Sequence, residues 1–149
     1  MNLPAAIVRA PELDRWLHFN QDGTITIRTG KVEIGQGIMT AIAMIAAEEL
    51  DVSMARIQVQ TADTELTPNE LITAGSMSVE DSGSAVRVAT ATARAWLLEK
   101  AAGFLDVPFT SLTVEDGIIR SDDSNEQTDY WTLQAGQLFE SDVTQLPEM

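Results

Sequence analysis

Gly35-Gln36-Gly37 is the local motif best suited to chemistry in this chain of 149 residues. It stands where a short alternating run, Lys31-Val32-Glu33-Ile34, gives way to a helical pattern. Two glycines around one polar residue let the backbone approach a ligand closely, because neither carries a Cβ. A helix N-terminus at that point adds amide donors and the positive end of a dipole, which suits an oxyanion or an oxo group. Gln36 can donate and accept at once. Taken alone, Gly-X-Gly before a helix more often forms a tight structural turn. These three residues are not a dinucleotide fingerprint, since Thr40 stands where Gly or Ala is required, and no Gly-Lys-Ser/Thr follows to make a phosphate loop.

A second candidate is Thr67-Pro68-Asn69-Glu70 running to Thr73-Ala74-Gly75-Ser76-Met77-Ser78. Small hydroxyl residues around glycine, ahead of a long helix, suit a loop pressed against a ligand or another chain. An ordinary helix-capping loop would look the same. His18 is the only histidine, and it lies in a strand pattern with no nucleophile beside it, so it reads as a structural or surface residue. Carboxylates are too many and too scattered for a paired-carboxylate site to be singled out. Glu48-Glu49 marks a helix's wet face. There is no cysteine, which excludes disulfides, thiol nucleophiles and iron–sulfur ligation by this chain.

The elements that must position these residues follow from periodicity. Residues 1–15 show none and read as an extended lead-in. Trp16–Phe19 and Thr24–Arg28 flank Asn20-Gln21-Asp22-Gly23 as a hairpin, with Ile25 and Ile27 on its buried face. Ile38, Ile42 and Ile45 with Ala43, Ala46 and Leu50 give a broad apolar helix face. Arg56–Thr61 alternates as another strand. Residues 62–82 have no period, and so long a stretch in a small domain is more often functional than idle. Asp81 or Ser82 then caps a long helix with Val86, Ala89, Ala93, Leu97, Ala101 and Phe104 inward, its end bracketed by Gly103 and Pro108. Its many alanines predict a close neighbour. Leu112–Val114 and Ile118–Arg120 flank Glu115-Asp116-Gly117 as a second hairpin. The polar run Ser121–Asp129 reads as a loop, and Asp129–Phe139 as a short helix capped by Thr128.

Length fits one module over residues 1–149, with an acidic segment at 121–149. Nine Lys and Arg against 23 Asp and Glu give a net charge of −14, which disfavours nucleic acid and anionic membrane surfaces as partners. Residues 115–149 carry nine acids and one base, a solvated face on the usual reading of such runs. No apolar run reaches membrane-spanning length and the first eleven residues are not a secretory signal, so the expected location is cytoplasmic.

Taken in order, Thr29–Gly37, Ala46-Ala47-Glu48-Glu49-Leu50, Thr61-Ala62-Asp63-Thr64, Thr67-Pro68-Asn69, Thr73-Ala74-Gly75-Ser76 and Asp81-Ser82-Gly83 form a specific set. The set resembles the molybdopterin-binding large subunit of the xanthine dehydrogenase and aldehyde oxidase superfamily, nearest to isoquinoline 1-oxidoreductase beta and nicotinate dehydrogenase B types. The likeness covers about residues 12–135.

The resemblance implies an α+β fold: a two-layer α/β domain with a mixed sheet and two main helices, in the order strand, strand, helix, strand, helix, strand. It implies that Gln36 lies beside molybdenum and hydrogen-bonds an oxo ligand, with Gly35 and Gly37 shaping the loop, and that Thr73, Ala74, Gly75 and Ser76 pack near the cofactor. The implied cofactor is molybdenum–molybdopterin, the cytosine dinucleotide form being one candidate, shared with parts of the subunit outside this chain. The family's catalytic glutamate, in a Gly-Val-Gly-Glu motif, has no counterpart here, and neither do the later loops that grip the pterin phosphate. The chain therefore reads as the first cofactor-binding module alone: a fragment, a split-gene product or a truncated frame. Its implied partners are the remainder of the subunit, a [2Fe-2S] small subunit and an electron-accepting cytochrome. The complete enzyme would hydroxylate an N-heteroaromatic ring or an aldehyde with oxygen from water. The rival reading is a non-enzymatic acidic assembly or binding module that holds no metal. A hydrolase using paired carboxylates has only the abundance of acids behind it.

Overall fold

The structure is a computed structural model that describes residues 3–4, 7–8, 11–29, 36–61 and 75–141. Ile25 and Ile27 are fully buried in β2 (Ile25–Thr29), while alternation turns Thr26 and Arg28 to the other face. Against β2, β1 (Leu17–Phe19) pairs antiparallel and β3 (Ile57–Thr61) pairs parallel, so the three make one mixed sheet. Gly23 closes the β1–β2 turn at φ +86°, where a side chain would be strained. Asn20 braces that turn by donating to the hydroxyls of Thr24 and Thr26 at 3.0 and 2.9 Å.

Helix α1 (Gln36–Leu50) carries the chain from β2 to β3, and α2 (Gly75–Leu105) follows β3. The α+β order expected from the sequence is present. The later strands do not join the mixed sheet. Instead β4 (Leu112–Glu115), β5 (Ile118–Ser121) and β6 (Gln127–Asp129) form a second, antiparallel sheet, and α3 (Tyr130–Gln134) follows it. The core runs between the two: Leu17, Phe19, Ile25 and Ile27 meet Ala46 and Leu50 of α1, then Ala89, Ala93 and Leu97 of α2, and Ile119 and Tyr130 beyond. The alanine-rich face of α2 does have its close neighbour, and it is α1.

Both long helices end the same way. Asp51 and Asp106 take the left-handed conformation at φ +55°, and Val52 and Val107 donate back to Ala47 and Ala102 at 3.1 Å. Each is a six-to-one closure of the last turn built on aspartate where glycine is usual. The C-terminal end of α1 is then tied to the second sheet. Tyr130 donates its hydroxyl to the Leu50 carbonyl at 2.7 Å, Gly117 donates its amide to the Asp51 carbonyl at 3.1 Å, and Arg94 pairs with the Asp51 carboxylate at 3.0 Å. Burial pushes the Tyr130 phenol far above its ordinary range, so it remains a neutral donor.

Five details differ from the sequence reading. Helix α2 begins at Gly75 rather than at a cap on Asp81 or Ser82. Phe104 is 64% exposed, because the buried stripe steps from Leu97 to Ala101 to Leu105 and leaves Phe104 a quarter-turn aside. The run Ser121–Asp129 is not all loop, since Arg120, Ile119 and Ile118 pair with Gln127, Thr128 and Asp129. The last helix is shorter than Asp129–Phe139, and its cap is Asp129 rather than Thr128: the Asp129 carboxylate accepts from the Thr132 amide at 2.7 Å. The lead-in is anchored, with Ile7 and Leu13 fully buried and Leu13–Arg15 forming one tight turn. The predicted strand Lys31–Ile34 lies outside the described residues.

The two ends of the described fold are clasped. Leu13 donates its amide to the Ser141 carbonyl at 2.9 Å, and the Asp14 carboxylate accepts from the amides of Phe139 and Glu140 at 2.7 and 2.8 Å. Phe139 thereby reaches the Phe19 ring, 5.8 Å between centroids. Much of the acidic segment is thus part of the packed fold.

Arg56 joins the two sheets. It donates to the Gly23 carbonyl at 2.8 Å, pairs with Asp116 at 3.0 Å and lies 4.5 Å over the Trp131 ring. The Ser53 amide and then the Arg56 guanidinium, both bonded to Asp116, hold its carboxyl below the ordinary 3.8. A lowered folded-state value means that this contribution is complete above pH 3.8 and is lost as pH falls through the lower folded value. Asp116→Asn should therefore lower stability at neutral pH, and the gap from the parent should close in strong acid. Denaturant titrations of both chains from pH 7 down to pH 2 measure it (about one unit per step suffices).

Candidate functional site

The parallel pair β2–β3 sets the direction of everything that follows it. Thr29 and Thr61, the last residues of the two strands, are register partners, so both connections to a helix leave from the same edge of the sheet. In open α/β arrangements this carboxyl edge is where ligands are bound. Residues 30–35 and 62–74, which make those connections, lie outside the described residues.

Helices α1 and α2 then run parallel, side by side. Gly83 lies under Ile45: a Cβ built on Gly83 would stand 3.0 Å from Ile45 Cδ1. One turn further on, Glu49 pairs with Arg87 at 3.6 Å. Both contacts join residues separated by the same sequence offset. Carrying that offset back at about 1.5 Å per residue levels Gly37 with Gly75. The two helix N-termini therefore meet at one end, above the edge where the two connections arrive.

Of the residues singled out in the sequence, Gln36 and Gly37 open α1, and Gly75 and Ser76 open α2. Gly35, Thr73 and Ala74 lie outside the described residues. The structure thus brings the two candidate motifs, nearly forty residues apart in the chain, to a shared end of a helix pair. Each helix presents its first backbone amides there without an intrahelical partner. Neither helix has an acidic residue in its first turn, so two positive dipole ends point the same way and no carboxylate of those turns offsets them. Such an arrangement can hold an anionic or oxygen-rich group by backbone donation.

Other candidates stand apart. His18 sits in β1 opposite Thr26 and is half-buried, its pKa lowered by burial and then by the Arg28 charge. That favours the neutral form and agrees with a structural residue. Among the described residues no cluster of His, Asp or Glu could hold a metal ion, and no helix is long and apolar enough to cross a membrane. A cavity of about 240 Å³, lined by Trp96, Glu99, Lys100, Phe139 and Ser141, opens toward the other end of α2. It is about 30 Å along the helix from Gly75. What the sequence did not reveal is the register between the helices, and its one visible signal was Gly83 within an otherwise alanine- and valine-bearing stretch.

The sequence model of the molybdopterin cofactor-binding domain matches residues 6–145. The B-type subunit of nicotinate dehydrogenase from Pseudomonas putida is 38% identical over 112 residues, 75% of this chain and 9% of that protein. The beta subunit of isoquinoline 1-oxidoreductase from Brevundimonas diminuta is 32% identical over 127 residues, 80% of this chain and 16% of that protein. The crystal structure of the Cu,Mo-CO dehydrogenase in its carbon monoxide reduced state superposes with a TM-score of 0.67 at 27% identity, over 78% of this chain and 15% of that one. The chain spans less than a fifth of the length of each of these relatives. With a family match across nearly its whole length, and the paired helix N-termini in place, the chain belongs to the molybdopterin cofactor-binding domain family.

Proposed function

We propose that this chain supplies one wall of the molybdenum-cofactor site of a molybdenum hydroxylase. The observation that carries the reading is the levelling of the Gln36–Gly37 and Gly75–Ser76 helix starts at one end of a parallel pair. The residues fit the group: amide donors of first turns that carry no acidic residue suit an oxygen-rich anionic cofactor, and glycine at Gly37 and Gly75 leaves its approach open. When bound, the cofactor supplies the redox chemistry by which an electron-poor carbon of an N-heteroaromatic ring or an aldehyde gains oxygen from water.

The chain's own part is to bind and orient. The Gln36 carboxamide donates a hydrogen bond to a ligand oxygen of the cofactor, and Gly35 and Gly37 let the backbone close on it. Thr73, Ala74, Gly75 and Ser76 would pack near the cofactor. This chain moves no proton in the reaction, and the general base is a glutamate of another segment. The remainder of the large subunit and a small [2Fe-2S] protein complete the enzyme, with a cytochrome one candidate electron acceptor and the cytosine dinucleotide one candidate form of the cofactor. Support for a multi-subunit setting comes from relatives whose own names make each of them one subunit of a larger enzyme.

One wall cannot retain a cofactor that several segments enclose. The 149-residue chain purified alone is expected to hold essentially no molybdenum, and to acquire it when co-expressed with the remaining subunits. Metal analysis of both preparations decides: stoichiometric molybdenum in the isolated chain would overturn the one-wall reading.

A further inference from the structure

Asp81-Ser82-Gly83 has no part in the site as built so far, yet its glycine is where the two helices touch. Gly83 is buried, and the only described atom within 4 Å of the place its Cβ would occupy is Ile45 Cδ1, at 3.0 Å. Ordinary carbon contacts lie at about 3.5–4.0 Å. A side chain at this position would press on the isoleucine methyl, so that Ile45 would turn aside or the helices would move apart. A slide of α2 along α1 that keeps the same face inward takes three or four residues, and brings a residue such as Val86 or Arg87, each with a Cβ, under that methyl. The Glu49–Arg87 pair, with Arg87 58% exposed, is too weakly held to fix a register alone.

Resting on the function proposed above, we infer that Gly83 and Ile45 form a register key, and that Gly83 is a positioning residue for the cofactor wall. The key sets how close α1 and α2 lie and at what level they start. It therefore sets the spacing between Gln36–Gly37 and Gly75–Ser76, two turns away. Every residue of slide displaces the two helix starts by about 1.5 Å. Misplacement of about 1 Å at a reacting centre can cost about 10²-fold.

The test uses Gly83→Val in the full chain, with Ile45→Ala added to make room for the new side chain. Ser84→Val is the control: it places the same β-branched residue one position away at an exposed site. The first readout is independent of activity. The backbone amide resonances of Gly37 and Gly75 should move in Gly83→Val, return toward the parent positions in the double variant and stay put in Ser84→Val. The second is molybdenum retained by the complex assembled with the remaining subunits, which should fall about tenfold or more and recover in the double variant. If Gly83→Val does not fold, Gly83→Ala is read instead, with the same signs and smaller shifts. Amides that do not move, or that move equally in Ser84→Val, overturn the key. Moving amides with unchanged molybdenum overturn the positioning role if Gln36→Ala still lowers turnover. If Gln36→Ala is also without effect, the functional reading fails and the helix key stands.

Discussion

Gln36→Ala in the assembled enzyme is expected to lower turnover by about 10²–10³ while leaving folding and subunit assembly intact. That is the usual loss when one well-placed donor is removed from a site where charge develops. Gln36 is the first residue of α1, and alanine is at least as good a helix former, so the change leaves the helix in place. Were it only a turn residue, alanine would change little, because Gly35 and Gly37 meet the backbone demand. Gln36→Glu should be worse than alanine: a carboxylate has no proton to offer and would face an electron-rich oxygen. It would also place a negative charge in the first turn of a helix that has none there. Steady-state kinetics with molybdenum measured in parallel checks both variants. Parental turnover in the two at full occupancy would sink the assignment.

Leu97→Ala should be the most damaging single truncation on α2, at about 2–5 kcal/mol. Leu97 is fully buried in the core cluster, on the stripe that continues through Ala93 and Ala101. Those two neighbours along the helix are alanines, too short to reach into the cavity. Phe104→Ala gives the contrast. Its ring is 64% exposed, and the change should stay within about 0.5 kcal/mol. Denaturant midpoints of the two variants measure the difference, and equal shifts would mean that the helix presents another face to the core.

Where a residue's own type decided its environment, the fold was legible in the sequence. Ile25 and Ile27 announced a half-buried strand, Gly23 its turn, and the Ile and Ala spacing of α1 its buried face. Elements held by their partners were not legible. The first turn of α2, Gly75-Ser76-Met77-Ser78, has three weak helix formers and no apolar period, and it is helical beside α1. Gln127-Thr128-Asp129 has no apolar residue at all and is a strand because β5 pairs with it. Choosing Phe104 over Leu105 was a slip of one position on a helix whose inward stripe steps by four. For the site, the chemical types at Gln36 and Gly75 were visible, but their nearness was not. It depends on one methyl resting on one glycine between helices that no local pattern relates.

The clasp between Leu13 and Ser141 has a topological consequence. Leu13 and Ser141 stand side by side, joined by a backbone hydrogen bond of 2.9 Å and flanked by the two bonds from Phe139 and Glu140 to Asp14. Everything between these residues forms a body on a closed stem, which adds almost nothing to the distance between Leu13 and Ser141. The helix starts that bear Gln36 and Gly75 belong to the hanging body rather than the stem.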